Sequence, residues 1–383
     1  MSAGAVVWTP EFLTYKLSPS HPLNPVRLDL TMRLSRELGV LDGTEPVEPE
    51  PASEDDLLRV HDAGYLEAVK AAPTNPFNAG HGLGTPDNPI FNGMHEASAL
   101  VCGGSLLAAQ EIHSGRSDRA FNIAGGLHHA MPDHASGFCI YNDCAVAIAW
   151  LLDHGVQRIA YVDIDVHHGD GVQAIFYDDP RVLTISLHQH PQTLFPGTGS
   201  PNERGRGDAT GTSVNVALPP GTGDRSWLRA FHAVVPPLLQ AFGPEVLVTQ
   251  CGADTHAEDP LANLELTVDG HRASYRALRQ LAGSAAGGKW LALGGGGYGL
   301  FRVVPRSWTH LLATVLDGDV DPGTPLPEAW LRHAQSLTDL PLPSAMTDGG
   351  DVEFEPWGEG SDRVDSAIRE TRKVVFPLHG LDP

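Results

Sequence analysis

The sequence is poor in basic residues and in long apolar runs. Only 25 Lys and Arg stand against 47 Asp and Glu, which gives a formal net charge of −22. Clustered Lys and Arg supply much of the affinity for nucleic acids and for anionic membrane surfaces, so we expect neither partner. The longest apolar run, residues 144–152, is much shorter than the roughly 18 residues that a membrane-spanning helix needs.

Cysteines are also few. The 4 cysteines include no C-x-x-C pair, so the sequence indicates neither a zinc ribbon nor a disulfide framework. The first basic residue is Lys16, which leaves the N-terminus without the charged start of a signal peptide. No internal repeat or low-complexity linker divides the chain. We therefore predict a soluble, cytoplasmic protein with a single domain over residues 1–383, onto which an acidic tail of about residues 341–383 packs.

Short apolar segments alternate with longer helical segments along the chain. The pattern predicts helices over residues 142–154, 226–242 and 268–282, and Ser53 before three acidic residues predicts a further helix start. Strands that are apolar throughout, each followed by a helix, favour a parallel sheet covered on both faces. The predicted strands are residues 120–123, 158–166, 182–187, 214–217, 245–250 and 289–293.

Polar side chains follow most of these predicted strands. In a parallel sheet, ligands bind beyond the carboxyl ends of the strands. The sequence has 19 His and 42 Gly, and many of the histidines stand beside Asp or Gly at these positions. We expect the following residues to meet at one edge of the sheet: His128, His129, Asp165, His167, His188, Asp254 and Tyr298.

The segment YVDIDVH (161–167) carries the densest group of such side chains. Alternation along a strand would place Asp163, Asp165 and His167 on one face. Two carboxylates and an imidazole at a buried strand end repel one another and lose hydration unless a cation joins them. We therefore predict a divalent metal held by Asp165, His167 and Asp254, with a position left for water. This donor set suits Zn²⁺ and Fe²⁺. The alternatives are solvated loop charges and, for Asp254, a helix N-cap.

An adjacent histidine pair, His128 and His129, lies on a glycine-flanked turn. One neutral imidazole would take a proton from metal-bound water, and the other would stabilise the transition state or donate a proton. Each ring needs a carboxylate partner to fix its tautomer, and Asp163 and Asp170 are the unassigned carboxylates nearby. A buried pair without a catalytic role is the structural alternative.

A run of four glycines at residues 294–297 precedes Tyr298. The run lacks the Gly-Lys-Ser/Thr of a phosphate-binding loop, but it allows the backbone to approach a ligand closely, and we count Gly297 among the substrate-binding residues. The phenol of Tyr298 would hydrogen-bond an oxyanion beside the metal. Phe138 and Phe195 lie on turns after the same strands and would form a slot for an alkyl chain. Ordinary packing is the alternative for all three aromatic side chains.

Six blocks of the sequence resemble the motifs of class I histone deacetylases. They are GGLHHA (125–130), SGFCIYND (136–143), YVDIDVHHGDG (161–171), FPGTG (195–199), CGADTH (251–256) and LGGGGYGL (293–300). Residues 8–28 and 299–309 look more like the bacterial acetoin-utilisation branch. The resemblance implies the arginase–deacetylase fold, a single three-layer α/β/α domain with a mainly parallel eight-stranded sheet. It also implies one catalytic metal, normally zinc, on Asp165, His167 and Asp254.

The resemblance further implies a role for each site residue. His129 with Asp170 matches the general base, His128 with Asp163 matches its neighbour, and Tyr298 matches the phenol that polarises the carbonyl. The residues that match substrate contacts are Phe138 and Phe195 (tunnel walls), Gly137 (backbone acceptor for the amide), Asp87 (rim carboxylate), Arg27 (acetate cavity) and Leu261 (gatekeeper).

Structural potassium is also implied by the resemblance. One K⁺ site would use oxygens of the segment that carries Asp163, Asp165 and His167, together with Ser186 and Leu187. A second K⁺ site would use Phe176, Asp179, Val182 and Thr212.

The sequence therefore predicts a metal-dependent amidohydrolase that removes acetyl groups from Nε-acetyl-lysine of proteins or peptides. In the bacterial branch, an acetyl-CoA synthetase is the expected client. The alternative is an acetylpolyamine or other small-amide deacetylase, but the neutral Leu261 stands where polyamine-specific relatives carry an acidic residue. A dimanganese ureohydrolase would need a further aspartate where Thr255 and His256 stand. A non-catalytic acetyl-lysine-binding module would lack a metal ligand or Tyr298.

Overall fold

A single parallel β-sheet forms the centre of the protein. The structure is a computed structural model that describes residues 4–358 and 360–383. Within these residues the sheet has seven strands in the order β1-β2-β7-β6-β3-β4-β5, and each neighbouring pair is parallel. The predicted fold class is confirmed, with seven strands instead of eight. The strands are β1 (Ala5–Val7), β2 (Arg119–Asn122), β3 (Ile159–Asp163), β4 (Val182–Gln189), β5 (Ser213–Leu218), β6 (Val246–Gln250) and β7 (Trp290–Leu293).

Helices cover both faces of this sheet. The described residues form eleven α-helices: α1 (Val26–Glu37), α2 (Glu54–Leu57), α3 (Ala63–Ala71), α4 (Met94–His113), α5 (Asp143–Asp153), α6 (Asp170–Ile175), α7 (Asp224–Phe242), α8 (Val268–Ala285), α9 (Val304–Val315), α10 (Glu328–Gln335) and α11 (Arg363–Val375). Short 3-10 helices span Pro10–Thr14, Pro76–Asn78, Gly207–Ala209 and Phe376–His379. None of the helices in the described part of the chain is long and apolar enough to cross a membrane.

The helices form two layers. Helix α4 contacts β1, β2 and β7 and packs against α5, whereas α7, α8, α9 and α11 pack against one another on the other layer and contact β2, β4 and β5. The strands are therefore buried on both faces, and every residue of the seven strands is buried. This explains why the predicted strands read as continuous apolar runs.

The predicted helices lie close to their expected bounds because their ends carry capping residues. The side chain of Asn142 accepts a hydrogen bond from the amide of Ala145 at the start of α5, and Thr267 caps α8 in the same way. Ser53 and Asp56 form a capping box at α2, which confirms the helix start that the sequence predicted.

The central strand is shorter than predicted. Strand β3 ends at Asp163, where the sequence predicted a strand to residue 166, and the next residues form a turn. Carboxylate oxygens cause this end: the amide of Asp165 donates to Asp163 Oδ1 (3.1 Å), and the amide of His167 donates to Asp165 Oδ1 (3.0 Å). The expectation that Asp163, Asp165 and His167 share one face of a continuous strand is therefore wrong. The orientation of the Asp165 and His167 side chains is set by a turn and not by strand alternation.

The segment around residue 348 joins the C-terminal part of the chain to the sheet layers. Asp348 forms an ion pair with the buried guanidinium of Arg306 on α9 (2.7 Å) and a hydrogen bond with Nε2 of His256 (2.9 Å), which follows β6. Further along, the hydroxyl of Thr371 on α11 donates to the carbonyl of Asn215 on β5 (2.7 Å). These contacts attach the segment to the loop that follows β6.

Candidate functional site

The three predicted metal ligands meet at the carboxyl ends of two adjacent strands. Asp165 and His167 follow β3, and Asp254 follows β6. Their ligand atoms lie within 4.8 Å of one another, and all three side chains are buried. His167 Nδ1 lies 3.1 Å from Asp165 Oδ1 and 3.2 Å from Asp254 Oδ2. The fold thus brings one imidazole nitrogen and two carboxylates to a single point.

Hydrogen bonds fix the orientation of both carboxylates. Asp165 Oδ2 accepts from the side-chain amide of Gln250 (2.7 Å) and from the backbone amide of Gly296 (2.8 Å). Asp254 Oδ1 accepts from the backbone amide of Val166 (2.9 Å). Such outer partners hold metal ligands in place in known sites.

The charges of this cluster fit a divalent cation. Burial and the charge of Asp165 raise the pKa of Asp254 to about 6. Burial lowers the pKa of His167, but its hydrogen bonds with Asp165 and Asp254 outweigh this and raise the pKa to about 10. A proton on His167 therefore balances the two carboxylates. A divalent cation would replace that proton and bind the neutral imidazole and both carboxylates.

Each histidine of the adjacent pair has its own carboxylate partner, as predicted. His128 Nδ1 lies 2.7 Å from Asp163 Oδ2, and His129 Nδ1 lies 2.6 Å from Asp170 Oδ1. The hydroxyl of Tyr161 also donates to Asp163 Oδ2 (2.7 Å). The two Nε2 atoms lie 3.1 Å apart. The Nε2 atoms of both rings therefore point toward each other.

The two imidazoles differ in their pKa values. Burial lowers the pKa of His128, but the charges of Asp163 and Asp165 outweigh it and raise the pKa to about 9. Burial and the charge of His128 lower the pKa of His129 to about 4, in spite of Asp170. His129 is thus neutral at pH 7 and able to accept a proton at Nε2. A cation at Asp165 would lower both pKa values by charge repulsion.

The predicted slot is a cavity of about 210 Å³ that leads to the metal cluster. The Phe195 ring stands edge-on to His129, with 5.1 Å between ring centroids, and the Phe138 ring stands edge-on to Tyr298 at 5.8 Å. Phe195 is 44% exposed at the mouth. The lining residues are Asp87, His129, Gly137, Phe138, His167, Leu194, Phe195, Leu261 and Tyr298.

Glycines allow the close packing around this slot. Gly137 has φ +51°, and a Cβ there would overlap the ring of His129. A Cβ on Gly296 would overlap the carboxylate of Asp254.

Tyr298 donates its backbone amide to Asp259 Oδ2 (2.8 Å). Burial and the charge of Asp254 raise the pKa of the Tyr298 phenol well above its usual value, so the phenol stays protonated and able to donate.

Arg27 lies on the far side of the glycine run from the slot's mouth. Its Nη1 donates to the carbonyl of Gly297 (3.0 Å), and its guanidinium lies 4.9 Å from the ring centroid of Trp308. Arg27 lines a small internal cavity of about 20 Å³, and Leu127 lines both this cavity and the one around the metal cluster. The structure thus brings Arg27 and Gly297 together behind the reacting centre.

The two predicted potassium sites stay predictions. Ser186 on β4 pairs in register with Asp163 on β3, so the first group of residues is contiguous. In the second group, the carbonyl of Asp179 accepts the amide of Val182 (3.2 Å), and the carbonyl of Thr212 accepts the amide of Thr184 (2.8 Å). The remaining members are Leu187 and Phe176, which are buried.

Known proteins resemble this chain over its whole length. Residues 21–315 match the histone deacetylase domain family. The acetoin utilization protein AcuC of Bacillus subtilis is 41% identical over 382 residues, which cover 99% of this chain and 98% of that protein. The chain belongs to the histone deacetylase family. AcuC of Staphylococcus aureus strain MRSA252 is 37% identical over 352 residues, 91% of this chain and 90% of that protein.

Solved structures of histone deacetylase homologues share the fold. One, a crystal structure of a homologue complexed with SAHA, has a TM-score of 0.84 at 28% identity and covers 97% of this chain and 100% of its own. The homologue from Aquifex aeolicus has a TM-score of 0.83 at 29% identity, with the same coverage. The protein is therefore a hydrolase of the deacetylase family, whose members are metal-dependent, with the arginase–deacetylase fold.

Four residues of the site were missed by sequence reasoning. Gln250 carried a signal, because it is a polar residue at the end of the apolar strand β6. Tyr161 carried one too, since it lies two residues before Asp163 and shares its face of β3. Gly296 was seen only as part of a run that allows close backbone approach, and nothing distinguished Asp259 from other acidic loop residues.

Proposed function

We propose that this protein removes acetyl groups from Nε-acetyl-lysine side chains of proteins. The observation that carries this proposal is one narrow cavity lined by His129, His167, Tyr298 and the two slot residues Phe138 and Phe195. The two phenylalanine rings line it as they would line an alkyl stem, and its lining reaches the metal cluster at His167. Deacetylation needs these features together: a slot for the stem, a base, an oxyanion donor and a cation site.

Zn²⁺, with Fe²⁺ as the alternative, would be held by Asp165, His167 and Asp254. When bound, the ion supplies Lewis acidity for the amide carbonyl and acidifies the attacking water. His129 Nε2 takes the proton of that water, and Asp170 holds the ring in the required tautomer. The phenol of Tyr298 donates to the oxygen that becomes negative in the transition state.

The remaining residues position the substrate and the product. His128, held by Asp163, keeps a proton near the leaving lysine nitrogen. The Gly137 carbonyl accepts the amide N–H of the substrate, Asp87 at the rim binds the substrate backbone, and the buried Arg27 binds acetate. Potassium at the first site would support the loop after β3, and potassium at the second would support the segment between α6 and β4.

The proposal extends to the client and the compartment. The likeness to acetoin utilization proteins supports a metabolic client, such as an acetyl-CoA synthetase. The 4 free, buried cysteines suit a reducing cytoplasm.

A turnover screen tests the proposal. The protein is reconstituted with Zn²⁺ or Fe²⁺ and assayed with acetyl-lysine peptides and with acetylspermidine. We expect a higher kcat/KM for the peptides, because Leu261 offers no charge to a polyamine and Asp87 lies where a backbone would pass. Higher kcat/KM for acetylspermidine would instead support a small-amide deacetylase, and no turnover of either would contradict the proposal.

A further inference from the structure

Asp259 is a buried carboxylate with no part in the mechanism above. It is 6% exposed and lies in the loop after β6, beyond the metal ligand Asp254. Its Oδ2 accepts the backbone amide of Tyr298 (2.8 Å), and its Oδ1 accepts the backbone amide of Leu261 (3.0 Å). One side chain therefore joins the loop of the oxyanion donor to the gatekeeper at the mouth of the slot.

Hydrogen bonds hold the glycine run before Tyr298, such as those from the amide of Gly296 to Asp165 and from Arg27 to the carbonyl of Gly297, but these bonds do not reach the amide of Tyr298 itself. Four glycines precede Tyr298 and contribute no side chains that could pack, and Gly295 and Gly297 have φ values of +147° and +136°. Such a segment has large conformational freedom unless its backbone is held by hydrogen bonds. The Asp259 carboxylate supplies such a bond at the residue that carries the phenol.

A carboxylate is the side chain that these two amides require. The amides of Tyr298 and Leu261 reach different oxygens of the Asp259 side chain, and an asparagine has only one oxygen to offer at these two positions. A carboxylate is unfavourable at this position, because burial and the charge of Asp254 raise the pKa of Asp259 to about 7. A residue that served only to fill space would not need this buried acid.

We propose that Asp259 is a positioning residue that couples the gatekeeper Leu261 to the phenol of Tyr298. Through it, the backbone position of the slot's lip and the position of the oxyanion donor are set together. This inference rests on the proposed deacetylation and adds a residue that acts through Tyr298 and does not touch the substrate.

A second link between the same two loops provides a matched control. Glu258 forms an ion pair with Arg302 (2.6 Å), and the two side chains are 42% and 29% exposed. The pair joins the neighbouring residue of one loop to the chain beyond Tyr298, but it does not contact the amide of Tyr298. Glu258→Gln therefore removes an ion pair between the same two loops and leaves the hydrogen bond from the amide of Tyr298 to Asp259 in place.

The test combines Asp259→Asn and Glu258→Gln with Tyr298→Phe in the full-length, metal-loaded protein. We expect Asp259→Asn to lower kcat for an acetyl-lysine peptide by about 10- to 100-fold, less than the 10²- to 10³-fold for outright loss of one oxyanion donor, because the phenol is displaced and not removed. In the Tyr298→Phe background the same change should lower kcat less than about twofold, because the donor is already absent. Glu258→Gln should change kcat less than about twofold in both backgrounds. Equal losses from Asp259→Asn in both backgrounds would overturn the inference.

Hydrogen exchange gives a readout that does not depend on turnover. In Asp259→Asn, peptides that contain the amide of Tyr298 should exchange faster than in the wild-type protein, and in Glu258→Gln they should not. Unchanged exchange in Asp259→Asn would also overturn the inference, whereas a wild-type protein without turnover would contradict only the proposed function. If Asp259→Asn does not fold, Asp259→Glu takes its place, because glutamate keeps the two oxygens. The amide of Tyr298 should then retain part of its wild-type protection from exchange. An absence of protection would count against the inference.

Discussion

At the residue scale, two adjacent histidines acquire opposite properties from their surroundings. His129 is held neutral by burial and by its neighbour, while His128 is held protonated by Asp163 and Asp165. The chemical types are identical. Burial lowers the pKa of both rings, and carboxylate charges from other segments of the chain outweigh burial only at His128. An acceptor and a donor of protons are thus placed 3.1 Å apart, which is what water attack followed by amine release requires.

Tyr298→Phe should lower kcat by about 10²- to 10³-fold, because one donor to the oxyanion is lost. Metal content and the midpoint of thermal unfolding should not change, since the ring still packs edge-on against Phe138. Steady-state kinetics, elemental analysis and thermal denaturation measure these three quantities. Tyr177→Phe, outside the lining of the slot, is the control, and equal kcat values for the two variants would show that the phenol is structural.

Asp165→Ala and Asp254→Ala should each lose metal and activity together. Each removes one of the two carboxylates that, with His167, surround the cation position, and a site of two ligands binds Zn²⁺ much more weakly. Elemental analysis after dialysis measures the metal, with the exposed Asp178→Ala as control. A full equivalent of metal in either variant would remove that residue from the ligand set.

Asp87→Ala should raise KM for acetyl-lysine peptides by about tenfold and leave a small acetylamide probe almost unaffected. Asp87 is exposed at the mouth of the slot, where a charged acceptor for backbone N–H groups contributes about 1.5 kcal/mol after solvent screening. Initial rates on the two substrates give both KM values. Similar losses on both substrates would indicate that Asp87 supports the loop and not the peptide.

At the element scale, the strands and helices that could be predicted from the sequence are those marked by apolar runs and by helical periodicity. Strands β4 to β7 and helices α5, α7 and α8 were predictable because apolar runs and capping residues mark them locally. Strand β1 was not, because Ala5–Val7 is a three-residue strand that depends on pairing with β2 and with Val47. The end of β3 was missed because carboxylates of Asp163 and Asp165 bind backbone amides there, a tertiary effect that alternation does not record.

The residues of the functional site also divide into those with a local sequence signal and those that depend on tertiary contacts. Residues whose chemistry is unusual for their position, such as Asp165, His167 and the histidine pair, were found from the sequence. Residues that act by ordinary hydrogen bonds to backbone amides, such as Asp259, were not, because a loop aspartate has the same appearance whether it is exposed or buried. The roles of Gly137, Arg27 and Asp87 came from the family resemblance, and the structure places all three around the slot or behind it.

At the scale of the whole molecule, the C-terminal part of the chain supports the layer behind the metal loop. Arg306 is fully buried and pairs with Asp348, which also binds His256 two residues from Asp254. Burial raises the pKa of Asp348, but the hydrogen bond from His256 and the charge of Arg306 outweigh it and lower the pKa. Stability from this group is therefore complete above the ordinary aspartate pKa of about 3.9 and is lost as the pH falls below it.

Asp348→Asn should lower the free energy of unfolding at pH 7 by about 2–4 kcal/mol, because it leaves the buried charge of Arg306 without its partner. The difference from the wild-type protein should shrink as the pH falls below about 4, because Asp348 takes up a proton there in the unfolded wild-type chain before it does so in the folded one. Urea unfolding at pH 7 and at several lower pH values measures it, with the exposed Asp351→Asn as control. A difference that stays constant with pH would contradict this assignment.

Removal of the metal should lower the midpoint of thermal unfolding. The cation binds the folded chain and not the unfolded one, so a free concentration about 100-fold above Kd adds roughly 2.7 kcal/mol. Scanning calorimetry with and without a chelator measures the shift. In Asp254→Ala the chelator should have no effect, and a shift that persisted there would place the stabilising ion elsewhere.

The separation of the ligands along the chain has a consequence for how the enzyme gains and loses its metal. His167 and Asp254 are 87 positions apart, and their strands become neighbours only when the central sheet has formed. A bound ion would therefore tie the two halves of the sheet together as a non-covalent cross-link. We expect metal release to be slow and to follow the rate of local opening of β3 from β6, so that the enzyme keeps the ion it acquired while folding.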